Sequence, residues 1–564
     1  MTRSNGRTPR GTTATETHRQ VKSEAEGTAR DAPEPDTDQT DQTDQAGKAS
    51  EAGNENGQSQ DEGGSKSAAS ALVGMIRQHY GLGVTSNGEP YAVKPDHHVV
   101  RMLRGGRSSL RAEIAAAYYH RTGRTASQQS LTDALMAAEG MAGATNPADV
   151  HLRVAEHSDA VWVDLGDVDE HAVKLTETGW SVVSAGVPVR FRRTELTGTL
   201  PTPVIGGDLD DLWQFVNVKP GDRPLVLAWL VAALGWPGMS HPLLGVFGEQ
   251  GTGKSSAARA LVSLVDPSPV ALRKPPRDAE QWVTAAASSW VVGVDNVSKV
   301  PEWLSDSLCR AVTGDGDVRR ALYTDGGLSV FNFRRAIILN GIDLGSLRGD
   351  LAERTLALEL DRITATGRVT ESDLASRWKA AYPALFGALL DLVVEVRQVL
   401  PTIVLTKMPR MADYTRVLAG VDAVLGMSGV AWYSQQAEHL ADDSLSSDPF
   451  VTALRTRLAK KKFEGTAATL LTRITPPRPS VLNNPYPPGW PKTGRAVTTI
   501  LRRDAPALRK VGWTVEDLGN SNKGHTTRWV IAPPEKAGIP APPRLPTPPR
   551  RKRAIRGSIN NKGS

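Results

Sequence analysis

The run Gly248-Glu249-Gln250-Gly251-Thr252-Gly253-Lys254-Ser255 constrains this chain more than any other stretch. Its spacing is G-x-x-x-x-G-K-[ST], in which glycines let successive backbone N–H groups converge on phosphate without Cβ clashes. The flanks are those such a loop requires. Before it stands the short apolar run Leu243 to Phe247, suited to a buried parallel strand, and after it a helical run from Ser255 that stops at Asp266-Pro267. Lys254 is expected on the β and γ phosphates of ATP. Ser255, with Ser256 beside it, opens the helix whose N-terminus favours the anion, and the Ser255 hydroxyl is expected to ligate Mg2+.

Two further apolar runs follow, Trp290 to Val294 ending in Asp295 and Ala336 to Leu339 ending in Asn340. Either polar residue alone is an ordinary strand-end turn residue. Ligands of open parallel sheets sit at the carboxyl ends of the strands, however, so a phosphate loop, an acid and an amide in this order point to one nucleotide crevice. Asp295 is then a magnesium ligand, and Asn340 orients the attacking water or senses the γ phosphate. Between them, residues 318–333 carry two alternating apolar runs around Asp325-Gly326-Gly327, the pattern of a β-hairpin, with Arg319 and Arg320 at its base.

The rest of the chain sets this centre among other parts. Its 564 residues are too many for one ordinary domain, and 39% of them are hydrophobic, enough for several cores. Residues 1–70 hold 13 acidic against 8 basic side chains and only Met1 and Val21 as large apolar ones. The net charge of +6 therefore leaves about +11 on the remainder, which suits a polyanionic partner such as DNA. The segment 1–70 is expected to be a disordered acidic and polar tail. Helical spacing is expected from Ala71, at 108–120 and at 127–139, and an antiparallel meander over 150–194. Helices are also expected over LDDLWQFVNV from 209 and over RPLVLAWLVAALG. No apolar stretch reaches membrane-spanning length and the N-terminus lacks a signal-peptide core, so a soluble cytoplasmic protein without a membrane partner is expected. The single cysteine, Cys309, excludes a disulfide framework and cysteine-based zinc sites.

After Asp448-Pro449, three helical runs precede GWTVEDLG and TTRWVIA, with the polar turn NSNKGH between these last two. This is the outline of a winged helix. The third helix would offer Arg495, Arg502 and Arg503 to the major groove, and Lys523, His525 and Arg528 would form the wing. The plainer alternative is a solvated helix face. The tail from 534 is Pro-rich, with the basic run Arg550-Arg551-Lys552-Arg553.

FGEQGTGKS, VVGVDN, the hairpin leading into AIILNG, and DLAERTLALEL resemble, in this order, the ATPase of superfamily 3 helicases. More narrowly, they resemble the ATPase half of phage and plasmid primase-helicases and ATP-binding proteins of actinobacterial mobile elements. The resemblance covers roughly 207–363. It implies an AAA+ fold, a homo-oligomeric, hexameric ring with ATP between subunits, and a hairpin facing the channel. It also makes Arg354 a finger for the neighbour's γ phosphate, where a fixed cationic fork stabilises the transferring phosphoryl group. A surface ion pair with Glu353 or Asp350 is the alternative for Arg354. The sequence departs from the family in two places. Asn296 stands where a second acid is expected, leaving Glu249 or Glu302 as substitutes, and the hairpin tip lacks the usual Lys or His, which moves DNA contact to Arg319, Arg320 or Tyr323.

The expected fold is thus α/β. It comprises the tail 1–70, an α+β N-terminal domain at 71–206, a P-loop AAA+ core with a parallel sheet at 207–363, and a helical region at 364–445. A winged-helix DNA-binding domain follows at 446–533 and a Pro-rich basic tail at 534–564. The expected function is an ATP-dependent helicase or remodelling motor in replication of a phage, plasmid or integrated element, with host replication proteins as further partners. The rival is a DNA-binding initiator that uses ATP only to assemble. In the N-terminal domain, Asp164, Asp167, Asp169 and His171 admit a metal-dependent primase site, against a plain recruitment or oligomerisation domain, and His97-His98 has no evident partner.

Overall fold

Ser67 caps the first helix, α1 (Ala68–His79): its Oγ accepts the Ser70 N–H at 3.2 Å, and Leu72, Met75 and Ile76 turn inward. The computed structural model describes residues 67–534 except 106–107, 316, 321–327, 332, 342–348, 365–366, 407–408, 447, 477–485, 488 and 521–526. For 317–320, 328–331, 349, 444 and 520 it describes the backbone course alone. Most of the 1–70 tail, the tail beyond 534, the hairpin tip with Tyr323, and the wing residues Lys523 and His525 lie outside the described residues.

Three strands follow α1 where the sequence pattern gave no expectation of any: β1 (Gly81–Thr85), β2 (Pro90–Val93) and β3 (Val99–Met102). Helices α2 (Leu110–Thr122) and α3 (Gln128–Gly143) come next, then β4 (Pro147–Ala148) and β5 (Val150–His151). The chain continues with β6 (Val154–His157), β7 (Ala160–Asp164), β8 (Ala172–Thr176), β9 (Gly179–Val183) and β10 (Arg190–Arg192). The expected meander is narrower than 150–194. Only β6-β7-β8-β9 form it, while β5 and β10 leave to complete a six-stranded sheet of order β4-β1-β2-β3-β10-β5. The reason is burial: β10 carries the fully buried Phe191 and pairs in parallel with both β3 and β5.

The expected helix from 209 is reduced to a 3-10 turn over Leu209–Gln214, and Val218 instead bridges to Leu360. Helix α4 (Arg223–Gly235) is apolar on every side and correspondingly buried. Next come β11 (Leu243–Phe247), α5 (Lys254–Val265), β12 (Leu272–Arg273), α6 (Ala279–Ala287), β13 (Val291–Val297) and α7 (Glu302–Thr313). The hairpin forms as its alternation predicts, β14 (Asp317–Arg320) pairing antiparallel with β15 (Leu328–Phe331). It leads into β16 (Ala336–Gly341), α8 (Gly349–Ala352) and β17 (Thr355–Glu359). The four strand pairings of this five-stranded sheet are all parallel, in the order β12-β13-β16-β11-β17. The first strand, β11, therefore sits inside the sheet between β16 and β17, so the chain reverses its direction of travel beside it. This is where parallel sheets open a crevice.

Helices α9 (Glu371–Val399), α10 (Ala412–Leu425) and α11 (Gly429–Ser446) follow. β17 is an edge strand, and α11 covers it: the Gln436 side chain accepts the Ala357 N–H at 3.0 Å and donates to the Ala357 carbonyl. The last segment reads α12 (Pro449–Arg457), β18 (Phe463–Thr466), α13 (Ala467–Ile474), α14 (Gly494–Lys510), β19 (Thr514–Asn520) and β20 (Thr527–Ala532). Its sheet is antiparallel in the order β18-β20-β19, one strand more than the sequence outline contained.

One hydrophobic core runs through the meander face carrying Val161, Val163 and Val173, the parallel sheet and α4, α9 and α10. A second core belongs to residues from Leu445 to Ile531, and a third to α1, α2 and α3. The meander is tied to the parallel sheet by a buried ion pair. Arg153, fully buried, donates through Nε to Asp266 Oδ1 at 2.9 Å and through its other nitrogens to the carbonyls of Asp164 and Gly198. Asp266 closes α5, and its second oxygen accepts the N–H groups of Trp290 and Val291. Each Arg153 nitrogen and both Asp266 oxygens are hydrogen-bonded, the condition under which a buried charge pair is tolerated. Among the described residues no helix is long and apolar enough to cross a membrane.

Candidate functional site

The sheet's carboxyl end carries the glycine loop. Between β11 and α5, Gly248, Gly251 and Gly253 take φ of 143°, 82° and 80°, values that a side chain would strain. Thr252 is buried and closes the loop by donating to the Glu249 carbonyl at 3.0 Å, while Glu249, Gln250 and Ser256 are exposed. Lys254 folds back on its own loop, Nζ donating to Gly248 O at 2.7 Å and Glu249 O at 2.5 Å, and burial lowers its pKa. The first N–H groups of α5 have no partner within the helix, so the loop presents donors together with a cation.

Register brings the other two strand ends alongside. Val246 on β11 pairs with Asn340 on β16, and Leu339 pairs with Val294 on β13, one residue before Asp295. Ser255 Oγ donates to Asp295 Oδ1 at 3.0 Å, and Asn340 Nδ2 donates to Ser255 Oγ at 3.2 Å. Asn340 is buried and fixed from its other side, where Oδ1 accepts the Asn296 N–H at 2.6 Å. Asn296 lies in a bulge of β13 at φ 55°, a left-handed conformation that asparagine adopts readily. Its side chain is exposed. A hydroxyl and a carboxylate 3.0 Å apart beside a phosphate loop are the hard oxygen donors that Mg2+ takes, so this pair fits that ion.

Arg354 lies elsewhere. It precedes Thr355, which pairs with Leu243 at the start of β11, whereas the loop follows Phe247, which pairs with Glu359. The four intervening steps at ~3.3 Å each put it about 13 Å from its own loop along the sheet. It is bound to Asp350, Nη1 to Oδ1 at 2.5 Å. Arg410 joins Asp350 at 2.6 Å and Glu353 at 2.7 Å, and Lys510 at the end of α14 reaches Glu353 at 2.9 Å. The Cys309 thiol, pushed up to about 12 by burial and by its hydrogen bond to Asp350, completes the cluster. Arg410 and Lys510 had no motif to announce them, since both arrive from other elements.

The remaining candidates are dispersed. Arg319 and Arg320 pair in the hairpin backbone with Ser329 and Leu328. On α14, Arg495 is exposed and has no ion-pair partner among the described residues. Arg502 pairs with Asp517 at 3.2 Å, and Arg503 with Asp448 at 2.6 Å and Asp504 at 2.7 Å. Arg528 pairs with Glu464 at 3.1 Å.

In the N-terminal part, Asp164 and Asp167 are already partnered and Asp169 is exposed. Buried Asp164 takes a two-pronged grip from Arg193, at 2.6 and 2.9 Å. Burial pushes its carboxyl upward, but His98, whose Nε2 stands 3.9 Å away, and the Arg193 fork together outweigh burial and hold it well below the carboxylate range. Asp167 bonds His171, and His97 finds the partner the sequence did not reveal, Glu170 at 3.1 Å. Among the described residues no set of three or more His, Cys, Asp or Glu is placed to hold a metal ion.

Residues 209–443 match the family model of the actinomycete integrative conjugative element replication protein, and residues 450–544 match the AICE RepA C-terminal domain. No curated protein matches. Among solved structures, the apo NrS-1 C-terminal region (305–718) is 12% identical, covering 83% of this chain and 99% of that one, with a TM-score of 0.38. The SCCmec type IV Cch active helicase is 11% identical, covering 80% and 93%, with a TM-score of 0.40. In two consecutive segments, then, this chain is similar to the replication proteins of actinomycete integrative conjugative elements.

Proposed function

We propose that the chain is an ATP-hydrolysing motor that unwinds or remodels DNA during replication of a mobile genetic element. The observation that carries this reading is the convergence of Ser255, Asp295 and Asn340 on one another at the strand ends beside the Lys254 loop. The loop and α5 bind the phosphates, and Lys254 leaves its two carbonyls for them. Ser255 and Asp295 hold Mg2+, which when bound neutralises charge on the phosphate oxygens. Asn340, fixed by the Asn296 N–H, keeps its amide oriented towards an attacking water. Arg354, about 13 Å from its own loop, suits a site formed with a neighbouring protomer, which supports a ring of P-loop AAA+ type. The helix-strand-helix-helix-strand-strand order of residues 449–532 is the layout of a winged helix, and it supports DNA binding through α14.

One observation favours the second reading, an ATP-switched initiator without unwinding. Asn296 is neutral where a second acid would help activate water. Purified protein with a forked DNA substrate separates the two. Strand displacement with DNA-stimulated ATP turnover, both lost in Lys254→Ala, supports the motor. ATP-dependent oligomerisation without turnover supports the switch and overturns the motor.

A further inference from the structure

Beyond β17 the chain turns back across the phosphate loop, and each of the loop's three glycines faces it. Leu360 donates its N–H to Phe247 O at 2.9 Å, and its carbonyl stands 3.0 Å from the position a Cβ on Gly248 would take. Ile363 Cδ1 stands 3.2 Å from that position at Gly253, and Arg368 Nη2 stands 3.6 Å from it at Gly251. The Gly367 N–H, just before Arg368, donates to Thr364 O at 3.0 Å. The Arg368 side chain is exposed and, among the described residues, has neither a hydrogen-bond nor an ion-pair partner. Its neighbour Arg362 is only 3.9 Å from the exposed Glu249. Arg354, by contrast, is committed to Asp350 at the far end of the same strand.

We propose that Arg368 is a nucleotide-phosphate ligand supplied in cis. Its guanidinium closes onto the terminal phosphates of a nucleoside triphosphate seated on the same chain's loop, opposite Lys254. This rests on the nucleotide site described above and adds a residue to it. The chemistry suits the position. A planar fork with no ion-paired acid among the described residues gives two parallel charge-assisted bonds to phosphate, and an exposed guanidinium beside the loop costs little while it waits in water. Each site then receives one arginine from its own chain and, on the reading above, Arg354 from the next.

Titration of full-length Arg368→Ala with ATP and with ADP, beside ATP turnover on single-stranded DNA, tests the assignment. ATP affinity is expected to fall ~10- to 100-fold and ADP affinity less, with melting of the nucleotide-free protein unchanged. Arg368→Lys, which keeps the charge and loses the fork, is expected to recover part of the affinity. Mixing distinguishes cis from trans. Arg354→Ala mixed with Lys254→Ala regains turnover because an intact loop meets an intact neighbour, whereas Arg368→Ala mixed with Lys254→Ala does not. Wild-type ATP binding and turnover in Arg368→Ala, or rescue in its mixture, overturns the proposal and leaves the nucleotide site standing. A wild-type chain that binds no ATP overturns both.

Discussion

The carboxyl end of the parallel sheet and the surface of the C-terminal module were both marked by polar residues at suggestive spacings, and they behave differently. At the sheet end, Ser255, Asp295 and Asn340 lie within one hydrogen-bonded chain because strand register places them there. On α14, Arg502 and Arg503 answer acids on β19, at the start of α12 and on α14 itself. A site set by strand ends has its geometry imposed by backbone pairing. A site on a helix face depends on which acids other elements bring against it.

The sharpest way to break this contrast is at the loop. Lys254→Ala is expected to lower ATP turnover by at least ~100-fold, because the ammonium that would meet the transferring phosphoryl group is gone. Asp295→Ala is expected to do the same. Neither should change melting by much, since among the described residues Lys254 bonds its own loop carbonyls and Asp295 accepts the Ser255 hydroxyl. Steady-state turnover beside thermal melting checks both. Turnover within twofold of wild type in Lys254→Ala would put the chemistry elsewhere.

Charge pairs show the same contrast in stability. Arg153→Ala strips the buried Asp266 of its ion-pair partner and is expected to cost about 3–5 kcal/mol in denaturant unfolding. It also loosens the end of α5. Arg503→Ala removes an exposed pair worth about 0–1 kcal/mol. Asp164 adds a pH signature. Its folded pKa is depressed, so its contribution is complete above the unfolded value of about 3.9 and is lost as pH falls below it. Melting profiles from pH 7 to 3 should therefore fall more steeply at the acid end for wild type than for Asp164→Asn. Parallel profiles would mean the Arg193 grip contributes nothing to folding.

How much was legible in the sequence follows from the same physics. The glycine loop, the parallel strands carrying Asp295 and Asn340, and the hairpin between them were readable because each run is continuous and its spacing carries the chemistry. β1, β2 and β3 were not, since Gly81, Gly83 and Pro90 mask their period. β5 and β10 were assigned to the meander because their partners lie across intervening strands, which local alternation does not encode. LDDLWQFVNV has helical spacing, yet Val218 was drawn into a bridge with Leu360 by tertiary contact. Glu170 as the partner of His97, and Lys510 as the partner of Glu353, are meetings of distant segments that no periodicity announces.

DNA affinity is the next test in size. Arg495 is exposed and has no ion-pair partner among the described residues, so Arg495→Ala is expected to weaken binding several-fold and to lower the salt slope by about one. Arg503 must first surrender Asp448 and Asp504, whose hydrogen bonds raise its pKa, so Arg503→Ala is expected to change affinity less than twofold. Fluorescence anisotropy at several salt concentrations measures both, and the reverse ranking would mean that the acids on this surface yield to DNA readily.

The smallest expected effect is the most diagnostic for the boundary between the two regions. Lys510 at the end of α14 reaches Glu353, the residue before Arg354, but Arg410 holds the other carboxylate oxygen of Glu353. Glu353 therefore keeps a cation and most of its depressed pKa, which burial opposes and Arg410 and Lys510 together maintain. Lys510→Ala should then shift unfolding by no more than about 0.5 kcal/mol, because Glu353 keeps its pair with Arg410. Arg410→Ala should cost more, because it releases Asp350 and Glu353 together and leaves Asp350 with Arg354 alone among the described residues. If Lys510→Ala proves the costlier of the two, α14 is not a surface resting beside the parallel sheet but part of the framework that positions Arg354.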